Sequence, residues 1–164
     1  MIYKLRIILD AEEDVFRDVE IEADNTLEDF HNVITQAFGF GGSEMASFYI
    51  ADDEWNQGEE IALFDMGDKE ARFMGNTTIE EVVSEDQNKL IYIYDFLNMW
   101  TFYVELAGVA EAQDGITYPR LLFAHGIVPE SAPEKQFETK EIIDDLEDLN
   151  IEDFDDLDFD ENWN

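Results

Sequence analysis

The chain has 164 residues, with 42 Asp and Glu against nine Lys and Arg, a formal net charge of −33. Its 45% hydrophobic residues, 13 Phe among them, are enough to bury a core unaided, and the lack of Cys excludes disulfides, thiolate metal sites and thiol nucleophiles. Such a charge repels nucleic-acid phosphate and anionic lipid, so direct nucleic-acid binding is not expected, whereas a basic protein partner suits it.

At the N-terminus Tyr3, Leu5, Ile7 and Leu9 alternate with Lys4, Arg6 and Ile8, which predicts a strand over 2–9. Lys4 and Arg6 break the apolar run and no small-residue cleavage site follows. No run of 18 apolar residues occurs, so the chain reads as cytoplasmic, without a membrane span. After the acidic turn Asp10–Asp14, a second strand over 15–22 takes its apolar side from Val15, Val19 and Ile21. The clearest helix covers 26–38. Asn25 or Thr26 caps it, Glu28 and Asp29 complement its dipole, and Leu27, Phe30, Ile34, Ala37 and Phe38 form one face. Gly39 fits the left-handed position that ends it.

Short strands are predicted at 47–51 and 60–64 around the polar loop Asp52–Glu59, and 65–76 reads as irregular. Thr77/Glu80 or Thr78/Glu81 forms a capping box for a short helix ending near Val83. Residues 89–96 are apolar on both faces, as a covered central strand is. A break at Leu97–Met99 then leads to 100–107, where Trp100, Phe102, Val104 and Leu106 share one face. A last strand near 117–124 contains Pro119, which favours a strand start or an edge. This order predicts an α+β fold: a mixed β-sheet packed on one main helix, β-grasp-like, with an added C-terminal hairpin that extends the sheet.

The domain is expected to span 1–128, with a proline-containing linker over 129–140. From Glu141 to Asn164 there are 12 acids and no Lys or Arg, interleaved with nine large apolar residues. Ile142, Leu146 and Leu149 suit an amphipathic helix over 140–149. Beyond it the pattern is that of an acidic-hydrophobic interaction segment, with Phe154, Leu157, Phe159 and Trp163 as partner-binding candidates.

The sequence assembles no catalytic, cofactor or metal set. Paired carboxylates are uninformative among 42 acids. Asp156, Asp158 and Asp160 lack the Gly and the bidentate Glu of a calcium loop. Gly39-Phe40-Gly41-Gly42 lacks the Lys-Ser/Thr ending of a phosphate loop. His31 reads as a packed or surface residue of the helix and His125 as a loop residue. Asp95 reads as a turn cap beside the hairpin, with Arg120 as its candidate ion partner.

Three segments in order, DFHNVITQAFGF at 29–40, YIYDFLNMW at 92–100 and YPRLLFAHGIVPE at 118–130, resemble the plasmid pRiA4b ORF-3-like family over roughly residues 3–130. The resemblance singles out His31, Asp95, Trp100, Tyr118 and Arg120 as family-signature candidates. It also marks departures: Leu97-Asn98 for a usual Gly-Asp, Phe102 for a His, Glu44 and Ala46 in a stretch often rich in His, and Leu121 or Leu122 and Val128 where Cys is frequent. It implies a fold and no reaction. The expected function is therefore that of a non-enzymatic interaction protein presenting its acidic, aromatic-studded tail to an unidentified, possibly basic, protein partner. The alternatives are an enzyme or metal-dependent protein with a cleft near Asp95, Trp100, Tyr118 and Arg120, or an acidic nucleic-acid mimic.

Overall fold

The computed structural model describes residues 1–133 except Met66, Asp68 and Glu70. Strands β1 (Ile2–Leu9) and β2 (Phe16–Glu22) pair antiparallel, with Leu5 opposite Val19 and Tyr3 opposite Ile21. Helix α1 (Leu27–Phe38) follows. Its cap is Thr26, whose hydroxyl accepts from the Asp29 N–H at 3.1 Å, while the Asp29 carboxylate accepts from the Thr26 N–H at 3.0 Å. Gly39 ends it at φ 81°, a conformation cheap only without a Cβ.

Strand β3 (Ala46–Ala51) pairs with β4 (Gln57–Ala62) and with β5 (Lys89–Tyr94). Between β4 and β5 lie a 3-10 turn, Met74–Asn76, and the short helix α2 (Ile79–Val82), whose box is Thr78/Glu81. Strand β6 (Trp100–Ala110) pairs with β5 and with β1, and β7 (Arg120–His125) with β2. The order is β4-β3-β5-β6-β1-β2-β7, and every pairing is antiparallel.

This corrects the expected fold class. Among the described residues 41% are strand and 15% helical, and the sheet is antiparallel throughout. The fold is mainly β, neither an α+β fold built on one main helix nor β-grasp-like. The physical reason lies in the β5–β6 turn. It spans only Asp95 to Met99, so β6 must fold back beside β5. Both edges of this eleven-residue strand then find partners, and β6 takes the central place between β5 and β1. It was expected to extend the sheet; it bisects it.

One face of the sheet carries the main core. Leu27, Phe30, Ile34 and Phe38 of α1 meet Leu5, Ile7, Val19, Ile21, Tyr92 and Tyr94 in one buried cluster. Phe30 stacks on Phe48 at 5.5 Å, while Phe48 and Tyr92, at 4.8 Å, and Tyr92 and Phe102, at 5.6 Å, pack tilted. Ile93 is on the opposite face, with Ala51 and Ile91 beneath Tyr49, Trp55 and Tyr103. β4 begins three residues before its expected start because Asp52 closes a tight turn. Its carboxylate accepts from the N–H groups of Glu54 and Asn56 at 2.9 Å each.

The compact unit runs from Met1 to Ala132, with Val128 and Ala132 packed on the core. The expected helix over 140–149 and the candidates Phe154, Leu157, Phe159 and Trp163 lie outside the described residues.

Candidate functional site

At the C-terminal end of α1 the chain turns through Gly39-Phe40-Gly41-Gly42 and lies against the β5–β6 turn. Two contacts fix this loop. The Phe40 N–H donates to the Thr35 carbonyl at 2.8 Å, and the Gly42 N–H to the Tyr94 hydroxyl at 3.0 Å. Phe40 thereby stacks on Tyr94 at 5.0 Å and tilts over Trp100 at 4.9 Å. Opposite, Asp95 sits at φ 60°, a left-handed position that Asp tolerates. Its N–H donates to the Met45 carbonyl at 2.7 Å, and its carboxylate accepts from the Leu97 N–H and the Asn98 amide.

Between these walls is an open cleft of about 530 Å³, closed on its third side by Val128, Pro129 and Glu130. Phe38, Tyr94 and Trp100 are buried in its floor, and Phe40 is the partly buried ring. Among the described residues its charged lining is Glu44, Asp95 and Glu130, with no Lys, Arg or His. All three signature segments contribute: Phe38 to Phe40 from the first, Tyr94, Asp95 and Trp100 from the second, Val128 to Glu130 from the third.

The other predicted residues lie elsewhere. His31 is buried among aromatic rings, its Nδ1 2.5 Å from the Tyr92 hydroxyl. Burial pushes the imidazole below its ordinary pKa and the Tyr92 phenol above its own. Both are therefore neutral at pH 7, joined by one hydrogen bond between Nδ1 and the phenol oxygen. Tyr118 accepts from the Gln113 N–H within the β6–β7 loop at 3.3 Å. Arg120 pairs with Glu20 at 2.6 Å across β7 and β2, not with Asp95. His125 is the last residue of β7 and stacks on Phe16 at 5.2 Å, in place of the expected loop position.

Several of the positions singled out as departures fall in and around the cleft, while Ala46 is in β3 and Leu121 and Leu122 are in β7. Glu44 and Val128 line it, Leu97-Asn98 forms the turn beside it, and Phe102 lies against Phe40 at 6.0 Å. Among the described residues no three His, Cys, Asp or Glu side chains gather closely enough to hold a metal ion. Phe40, Glu44 and Glu130 are not among the site candidates that the sequence singles out. The available signal was Phe40 itself, an aromatic set between glycines just past a helix end.

The model of the plasmid pRiA4b ORF-3-like protein family matches residues 1–163. The chain belongs to this family. The match runs well beyond the 3–130 covered by the three segments. Among solved structures the pRiA4b ORF-3-like chain is similar to a protein of unknown function from Methanosarcina mazei Go1. The TM-score is 0.70 at 17% identity, over 89% of this chain and 81% of that one, a likeness of fold. No curated protein matches this chain. No helix among the described residues is long and apolar enough to cross a membrane.

Proposed function

We propose that this protein is a non-enzymatic interaction protein for a basic protein partner, and that the Phe40 cleft takes a Lys or Arg side chain of that partner. The observation that supports this reading is the lining of the cleft: a partly buried ring over two more rings, three carboxylates and, among the described residues, no cation. A cation over an aromatic face gains about 0.5–1 kcal/mol at an exposed site, and each exposed carboxylate adds a few tenths to about 1 kcal/mol. One side chain so held binds weakly, so the ligand is a basic segment. Residues 141–164 carry the same chemistry, carboxylates interleaved with Phe154, Leu157, Phe159 and Trp163, and serve as further contacts for that partner.

Calorimetric titration of the full chain with an Arg- and Lys-rich peptide tests the proposal. Phe40→Leu keeps apolar bulk and removes the π face; Glu44→Gln with Glu130→Gln removes charge at exposed positions. Each variant weakens binding if the cleft is the receptor, and unchanged binding in both refutes it. Displacement of a native basic partner by duplex DNA favours nucleic-acid mimicry instead.

A further inference from the structure

The sheet ends on two strands of opposite character. β4 is exposed over Gln57 to Glu60 and carries Glu59 and Glu60. Carboxylates along an edge oppose pairing with another strand. At the other end β7 pairs with β2 on one side, and no described strand lies on its other side. Residues 115–129, GITYPRLLFAHGIVP, hold no acid in a chain that has 42. Within them Leu121, Phe123 and Ile127 are 51%, 52% and 90% exposed. Phe123 continues an aromatic layer with Phe16 at 5.8 Å, and the Arg6 guanidinium caps Phe16 at 4.4 Å. Arg6 is paired with Asp18 and Arg120 with Glu20, so neither cation of this surface is left to draw in an acidic ligand.

We infer that β7 is an interface for a second copy of this chain, two β7 strands pairing antiparallel about a two-fold axis so that two sheets join edge to edge. The occupant follows from charge. Two copies at −33 repel wherever their carboxylates face each other, and the acid-free strip is where they approach with least repulsion. With its cations paired, the strip offers apolar side chains and strand edge, which an identical strip matches. Pairing of β7 with β7 closes at two. Pairing of β7 with β4 would propagate without end, and the Glu60 carboxylate opposes it, Glu59 being paired with Arg72 at 2.8 Å.

Sedimentation velocity of the full chain, over a range of protein and salt concentrations, tests this. The expected result is a concentration-dependent dimer that tightens as salt screens the net charge. Amides of 120–125 gain hydrogen-exchange protection as the dimer forms. Phe123→Glu raises the dimer Kd about tenfold or more with the melting temperature near wild type. Ile127→Asp, at a more exposed position, does the same and stands in should Phe123→Glu fail to fold. Neither variant touches the cleft. A monomer at every concentration overturns the inference, and if its 120–125 amides are nonetheless protected, a segment of the same chain covers the edge. A dimer indifferent to both variants overturns it too, placing the interface elsewhere.

Discussion

Phe30→Ala probes the packing that holds the helix, and with it the Phe40 loop, on the sheet. Phe30 is fully buried, and its ring lies nearly parallel to Phe48, 5.5 Å away and 9° off plane. Phe48 is itself held against Tyr92, and Tyr92 against Phe102, rings on three adjacent strands, so the wall of the hole left by truncation resists collapse. Truncating such a Phe costs about 3–5 kcal/mol, cavity included. Against a domain stability of about 5–15 kcal/mol that is a large share. At roughly 3–5 °C per kcal/mol for a unit of this size, the melting temperature falls by about 10–25 °C. Thermal unfolding followed by circular dichroism reads it directly. Leu97→Ala, at a residue 93% exposed on the β5–β6 turn, is the control and stays within about 0.5 kcal/mol. A Phe30→Ala melting point within a few degrees of wild type would refute the packing argument.

Three further outcomes are expected. His31 is held neutral by burial below its ordinary pKa. Its contribution is full above about pH 6.5; below that the unfolded chain takes up a proton that the folded chain refuses, and stability falls by at most about 1.4 kcal/mol per pH unit until the folded pKa is reached. His31→Gln removes that slope, and denaturant melts at neutral and mildly acid pH that match wild type in slope would contradict it. Arg17 is buried and donates to the carbonyls of Ala37 at the end of α1, of His125 at the end of β7 and of Gly126 just past it, at 3.2, 2.9 and 3.3 Å. Arg17→Met costs about 1.5–3 kcal/mol and speeds amide exchange in β7 first; uniform exchange across the sheet would show that it ties nothing locally. Added salt raises the melting temperature by screening the net charge, and a melting point flat in salt would mean that the carboxylates are locally compensated.

Local chemistry was legible in the sequence where a side chain answers to its own neighbours. Thr26, Asp29 and Gly39 bound α1 as their capping chemistry requires, and the alternation in β1 assigned its core face, whereas β5, apolar on both faces, left open which side meets α1. Of the strand order, the hairpin of β5 and β6 was legible at the heart of the domain, and the pairing of β6 with β1 was not. β1, β5 and β6 are each apolar enough to sit in the middle, and only the tightness of the turn at Asp95 puts β6 between the other two. β4 began early because an exposed edge strand bears Gln-Gly-Glu-Glu as easily as a loop does. Of the signature residues, Asp95 and Trp100 meet at the cleft, while His31, Tyr118 and Arg120 are engaged elsewhere. Phe40 gave no periodic signal, since its place over Tyr94 and Trp100 depends on a loop contact 52 residues apart in sequence.

Recognition of a cationic side chain at the cleft is tested most directly by an NMR titration of the full chain with an Arg-rich peptide at low and physiological salt. The expected shifts concentrate at Gly39 to Glu44, Tyr94 to Trp100 and Val128 to Glu130, and Phe40→Leu diminishes them while leaving the fold intact. Shifts scattered over the acidic surface, unchanged in Phe40→Leu, would show that charge alone attracts the peptide and that the cleft is not its receptor.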